Sequence, residues 1–189
     1  MKDLGVRVGN ALVETGDLAA AIRHFESLRR RDDRGDELLK SRIALLYLRL
    51  GEVAAARRYI PSTPRTDSPT SSNTLIRPLL SMAEARYEDA INEWKDLTST
   101  PTPKSDIATQ NLAVCLLYTN HLDEAHALLD SLIDKGRSFH ALTFNLATVY
   151  ELRTEKARAR KGELAERVAV GLVAEEGRGG ERVAADFKL

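Results

Sequence analysis

Cysteine occurs once in the 189 residues, at Cys115. A single thiol excludes an intramolecular disulfide and fits a reducing compartment. Because Cys115 falls inside the apolar run Leu112 to Tyr118, it reads as a small buried hydrophobe rather than a nucleophile. Excess charge is missing too. Lys plus Arg and Asp plus Glu both total 28, so no overall field draws the chain to nucleic acid or acidic lipid. The run Arg29, Arg30, Arg31 before Asp32 and Asp33 reads as basic charge at a helix C-terminus, not as a phosphate site. No apolar stretch is long enough to span a bilayer, and the start carries no signal peptide. A soluble intracellular protein is expected. Since Met1 to Asp3 leaves almost no lead-in before the first helix, the chain is also expected to be a piece of a longer protein.

Catalytic and metal-binding patterns are equally scarce. His24, His121, His126 and His140 are scattered, and none forms the i, i+4 pair with a glutamate that builds a helical zinc site. The glycines Gly177, Gly179 and Gly180 follow no strand and open no helix, so they make no phosphate loop. No Ser/His/Asp set is recognisable. The expectation is no enzyme, no cofactor and no metal.

What the chain does have is a helix-turn-helix pattern with a period near 34. A turn residue precedes a second helix carrying a small residue and then a large apolar one. The sets are Gly16, Ala21, Phe25; Gly51, Ala56, Ile60; Ala85, Ala90, Trp94; Asn120, Ala125, Leu129; and Thr154 with Ala159. Successive turns lie 35, 34, 35 and 34 apart, the tetratricopeptide period. The alanine sits where the two helices of a hairpin cross most closely, and the large residue four further on fills the adjoining groove. The first helices agree as well, with Asn111, Leu112, Ala113 and Leu116 standing 34 before Asn145, Leu146, Ala147 and Tyr150.

The fold class is therefore all-α, a right-handed superhelical α-solenoid of about four and a half to five tetratricopeptide hairpins over 1–174, followed by a flexible Gly-rich segment and tail over 175–189. The predicted helices run 4–14, 18–30, 37–50, 53–59, 74–84, 87–97, 106–118, 122–134, 139–152 and 155–172. Asp17 is placed to cap the second. Pro61 and Pro64 cut the fourth short, and residues 62–73, rich in Ser, Thr and Pro, read as an exposed inserted loop. Pro78 strains the fifth unless it lies in a first turn, where proline is tolerated. Thr98 to Ser105 is a second break. The charged last helix, with Ala157, Leu164 and Val168 as its buried side, has the polar outer face of a cap. Ser68-Pro69 and the Thr-Pro pairs Thr63-Pro64, Thr100-Pro101 and Thr102-Pro103 could accept proline-directed phosphate, though turn chemistry accounts for them.

Asn10, Asn111 and Asn145 are the candidate partner-binding residues, because asparagines on the first helix of such a repeat face the concave groove. Co-chaperone repeats of this type clamp a peptide carboxylate with asparagines and a lysine one turn before the first of them. Here that position is Val6, and the second unit has no such asparagine, so the clamp is incomplete and local structure is the preferred reading.

The last two units carry a more specific pattern. The stretches Thr109 to Tyr118 with Leu122 to Ala125, and Phe144 to Leu152 with the basic segment Lys156 to Arg167 and the ending Ala185 to Leu189, resemble the C-terminal repeats of the family of trafficking protein particle (TRAPP) complex subunit 12. The resemblance is specific from about Gln110 onward. It implies a noncatalytic structural subunit of a vesicle tethering complex in ER-to-Golgi or autophagy-related traffic, with TRAPP subunits 8 and 11 as partners. It further implies a cytoplasmic location, peripheral to ER-Golgi intermediate or Golgi membranes through the complex alone. The alternative is a peptide-binding adaptor of co-chaperone type that recognises a short C-terminal tail. An RNA-binding helical repeat ranks last, since the charge is neutral and no base-reading pair recurs.

Overall fold

The computed structural model describes residues 2–30, 37–60, 74–99, 105–137, 139–153 and 155–176, with backbone only for residue 2 and for 171–176. Among them lie α1 Lys2–Glu14, α2 Leu18–Arg30, α3 Glu37–Arg49, α4 Val53–Arg57, α5 Ile76–Ala83, α6 Tyr87–Thr98, α7 Ser105–Tyr118, α8 Leu122–Asp134, α9 His140–Arg153 and α10 Ala157–Glu176. The chain divides into two compact units, Met1–Arg86 and Tyr87–Leu189. In the first, α1 packs on α2, α2 on α3, α3 on α4, and α5 on both α3 and α4. In the second, neighbours pack in series from α6 to α10, and α7 also touches α9. The sequence-predicted loop 62–73, the Ser68 site, the second break's centre and the tail beyond Glu176 lie outside the described residues.

The turn residues of the repeat share one backbone state. Gly16, Gly51, Ala85 and Asn120 have φ of 82, 78, 58 and 64°, the left-handed region that lets a helix end and reverse. Each stands two residues before the next helix. The bonds recur as well. Gly51 N–H donates to Leu48 O at 3.0 Å and Glu52 N–H to Tyr47 O at 2.9 Å, while Asn120 N–H donates to Leu117 O at 3.2 Å and His121 N–H to Leu116 O at 2.8 Å. Ala85 and Arg86 repeat the pair on Met82 and Ser81. These are Schellman closures, and they satisfy carbonyls that the helix end would leave unpaired. Gly136, at φ 72°, ends α8 in the same way. Asp17 does cap α2, its Oδ1 accepting from Ala20 N–H at 2.9 Å.

Ala85 is the costly member of the set, because its Cβ opposes the left-handed state that glycine adopts freely. Ala85→Gly is expected to stabilise the protein by about 0.5–1 kcal/mol, the relief of strain exceeding the added freedom of the unfolded chain. Urea titration followed by circular dichroism checks this. An unchanged or lower midpoint would contradict it.

Packing follows the repeat through four hairpins. Ala21, Ala56, Ala90 and Ala125 are each 0 % exposed, and Phe25, Trp94 and Leu129 behind three of them are buried. In the first unit Ala21, Ile22 and Phe25 form one cluster with Leu39, Ile43 and Leu46. Gly9 of α1 is there because a Cβ at this position would penetrate the Phe25 ring, and one at Gly5 would come within 2.7 Å of Leu28.

Two expectations, for Ile60 and Ala159, need correction, and Pro78 takes the first-turn position that the sequence allowed it. Helix α4 stops at Arg57, and Arg58, Tyr59 and Ile60 continue with i to i−3 bonds to Ala55, Ala56 and Arg57. A tightened last turn is the natural approach to Pro61, which disfavours helical geometry at the residue before it. Ile60 is thus half-buried outside the helix rather than a groove-filling residue within it. Pro78 is the third residue of a shortened α5, where its missing N–H costs nothing, and it is buried. Ala159 is exposed. Helix α10 starts three residues after Thr154 instead of two, which turns Ala159 off the packing face and turns Lys161, Leu164 and Val168 onto it. Lys161 pairs there with Glu151 of α9, and the Arg167 fork reaches Asp130 and Asp134 of α8 at 2.6 Å each.

Candidate functional site

Among the described residues no group of three or more His, Cys, Asp or Glu side chains could hold a metal, and no helix is long and apolar enough to cross a membrane. The histidines have local occupations. His24 Nε2 lies 2.8 Å from Gly5 O, His121 Nδ1 lies 3.0 Å from the Thr119 hydroxyl, His126 packs on Tyr150 and His140 stacks on Phe144. Burial and then the Arg153 charge hold His126 below the usual imidazole range. In the first unit Glu26 Oε1 accepts from Tyr47 at 3.0 Å and from Tyr59 at 2.6 Å. Burial, with that carboxylate, pushes the Tyr59 phenol up to about 12.

Cys115 is 0 % exposed, and burial pushes its thiol up to about 11. Since the thiolate is the reactive form, the folded protein at pH 8 should react with a disulfide reagent at least roughly a hundredfold more slowly than the urea-unfolded chain. Equal rates would show that the thiol is open in the native state.

The asparagines fall into two situations. Asn111 on α7 and Asn145 on α9 are half-buried and stand nine residues before Asn120 and Thr154. Asn10 stands six before Gly16, so it is the counterpart of Val114, not of Asn111. It is exposed in the first unit, where its Oδ1 accepts from Arg42 Nη1 at 2.6 Å. Only Asn111 and Asn145 therefore share a repeat position.

Around those two the helical period builds a surface. Ile107, Asn111, Val114 and Tyr118 follow one stripe of α7 at i, i+4, i+7 and i+11, and Ala141, Asn145, Thr148 and Leu152 follow the matching stripe of α9. The ends are exposed, Ile107 at 49 %, Tyr118 at 68 % and Leu152 at 59 %. Tyr118 is held by stacking on Tyr87 with 4.5 Å between ring centroids. Two amides flanked by apolar ends on touching helices can bind a backbone at the centre and apolar side chains at both ends. In the first unit the same register carries Asp3, Arg7, Asn10 and Glu14 on α1 and the alternating Leu38, Arg42, Leu45 and Arg49 on α3, so arginines stand where α7 and α9 have asparagines or their apolar ends. The exposed ends were not among the sequence-predicted site residues, although the 34-residue offset from Tyr118 to Leu152 was there to be read.

Comparison with known proteins bears on the fold. Residues 8–62 match the tetratricopeptide repeat family. The chain is 24% identical over 171 residues to trafficking protein particle complex subunit 12 of Homo sapiens, covering 86% of this chain and 23% of that protein. The Mus musculus protein of the same name is matched equally, with 21% of its length covered. The chain thus spans less than a quarter of these curated relatives. A tetratricopeptide repeat protein from Parabacteroides merdae superimposes with a TM-score of 0.70 at 14% identity, over 96% of this chain and 67% of that one. MamA from Desulfovibrio magneticus RS-1 gives 0.59 at 12% identity, over 95% and 97%. With the left-handed turns and buried alanines of four hairpins, these likenesses make the fold an all-helical solenoid of tetratricopeptide type.

Proposed function

We propose that this chain is a noncatalytic protein-interaction scaffold, and that it serves as a structural part of a TRAPP-type tethering complex in ER-to-Golgi or autophagy-related membrane traffic. The observation that supports the scaffold reading is the pair of stripes on α7 and α9, where two half-buried amides lie between exposed apolar ends. The assignment to a TRAPP-type assembly is supported by the 24% identity to subunit 12 along most of the chain. On this reading TRAPP subunits 8 and 11 are the contacts, and membrane association, at Golgi or intermediate membranes, comes through the complex.

Affinity purification of the tagged protein from cells tests the reading. Recovery of TRAPP subunits is the expected result, and recovery of chaperones without any TRAPP subunit would refute it. Within that experiment Asn111→Ala with Asn145→Ala is expected to lower recovery severalfold, and Tyr118→Glu with Leu152→Glu to abolish it, because a broad helix-face contact depends on its apolar ends. The reverse order would identify a groove that holds a peptide by its backbone.

A further inference from the structure

The register that carries Asn111 and Asn145 in the second unit has a different chemistry in the first. On α3 it alternates, with Leu38, Arg42, Leu45 and Arg49 at i, i+4, i+7 and i+11 along a stripe about 16 Å long. Both leucines are exposed, Leu38 at 47 % and Leu45 at 38 %. Helix α3 is an interior helix of its unit, packed on α2, α4 and α5, so this exposure belongs to the repeat and not to an end of the array. On α1 the register places Arg7 one turn from Asn10, whose Oδ1 accepts from Arg42 Nη1 at 2.6 Å. The amide is neutral, so it fixes the Arg42 guanidinium near Arg7 without cancelling its charge.

Among the described residues Arg7, Arg42 and Arg49 meet no carboxylate. Other arginines that bridge neighbouring elements are neutralised at the bridge, Arg57 by Glu84, Arg137 by Asp106, Arg153 by Asp123 and Arg167 by Asp130. Arg42 bridges α3 to α1 and is not. Asp3 and Glu14 lie at the two ends of the α1 stripe, which leaves the positive charge at the centre of α1 and along α3.

We infer that this face of α1 and α3 is a second binding site, and that it takes an acidic peptide segment whose carboxylates alternate with leucine-sized side chains at helical spacing. Uncompensated guanidinium groups alternating with exposed leucines are complementary to that pattern in both charge and polarity. Nucleic acid would satisfy the arginines but set Leu38 and Leu45 against its phosphates. Arg42 and Arg49 start about 10 Å apart along the helix with Leu45 between them, so separate side-chain carboxylates suit them better than one terminal carboxylate. A second copy offers only a partial match. Of the exposed large apolar side chains outside α1 and α3, Val170 alone has a carboxylate one turn away on its own helix, Glu166. The inference rests on the scaffold reading only for the ligand's being a polypeptide, and it adds a site in the other unit with its own chemistry.

The probe is a fluorescent helical peptide of about 20 residues, long enough to hold a helix. It carries glutamate, leucine, glutamate and leucine at i, i+4, i+7 and i+11 in an alanine and glutamine background, and its C-terminus is amidated so that no terminal carboxylate is present. Titrated with the whole chain in about 50 mM salt, it is expected to bind saturably with a Kd on the order of 10–100 µM, and roughly tenfold more weakly in about 500 mM salt. An isomer with the same residues scattered around the helix is expected to bind roughly tenfold more weakly or worse. Arg42→Glu/Arg49→Glu is expected to weaken the probe roughly tenfold or more, and to prefer a probe with lysines for glutamates by a similar factor. Such an exchange of preference requires a folded site. Arg49→Glu alone, at an exposed position, is expected to weaken binding about threefold with an unchanged melting temperature.

No saturable binding, equal binding by the scattered isomer, or no exchange of preference overturns the inference. So does loss of probe binding in Asn111→Ala with Asn145→Ala, which would put the peptide on the α7 and α9 surface. Sedimentation showing a wild-type dimer that Arg49→Glu dissociates would also overturn it, since a second copy is then the occupant. The assay needs no cellular partner. Absence of TRAPP subunits from the purification above would therefore remove the assembly reading and leave this site standing.

Discussion

Trp94→Ala is expected to destabilise the protein by about 3–5 kcal/mol, the range for removing a large aromatic side chain from a packed core. Trp94 is the largest fully buried side chain, at 0 % exposed. It stands four residues after Ala90 on α6, the helix that packs against α7 and its buried Leu112, Cys115 and Leu116. The cavity would open between two helices whose backbones are already as close as Ala90 allows, so little collapse can fill it. A domain of ordinary stability has about 5–15 kcal/mol to lose, so the variant sits near the edge of folding. Urea unfolding followed by circular dichroism reads the effect, because the substitution removes the only tryptophan. Trp94→Phe, which keeps most of the volume, is expected to lose less than half as much. A Trp94→Ala loss below about 1 kcal/mol would show that this helix pair is not a packed core.

The second large effect has a sign that separates local preference from packing. In an exposed helix, glycine to alanine gains close to 1 kcal/mol from propensity alone. At Gly9 the same change is expected to cost about 1–3 kcal/mol, because the new methyl group overlaps the Phe25 ring and Phe25 is buried. A smaller partner should then relieve the penalty. Phe25→Leu in the Gly9→Ala background is expected to cost less than the two single changes added together, with a coupling of about 0.5–3 kcal/mol. Thermal unfolding of the four proteins in the cycle measures it. A stabilising Gly9→Ala, or additive changes, would mean that α1 and α2 do not approach as closely as described.

Most of the fold was legible in the sequence because the repeat states its geometry several times over. Leu18–Arg30 and Leu122–Asp134 have the boundaries the sequence predicts, and most of the other ends moved by one or two residues. Gly16 and Gly51 announce a left-handed turn by composition. Ala85 and Asn120 do so only by position, so the period rather than the residue type revealed them. Gly136 was missed because it ends a second helix, where the repeat pattern has no marked position. Ala159 went wrong for the opposite reason. The period was carried one hairpin further than the chain keeps it, and the extra residue before α10 rotated the face.

The candidate site was less legible. Asn111 and Asn145 could be paired from their spacing, but a list of asparagines brought in Asn10, and only the distance to each turn separates it from the other two. Exposure is also not written in residue type. Leu142 and Leu152 are both leucines of α9, one 0 % and the other 59 % exposed, and only the packing of the neighbouring helix decides between them.

The Schellman closures bear on how the chain comes to be folded. Their bonds join residues no more than five apart, so each reversal can form before any neighbouring hairpin is in place. Assembly then proceeds through short loops whose closure entropy is small, which favours fast folding with many possible starting points. The polar segment between α4 and α5 interrupts this only weakly, since doubling a loop adds about 0.6 kcal/mol. Extra residues are thus tolerated between hairpins far better than within a reversal, where one insertion would part the carbonyl from its amide and leave the next helix without a direction.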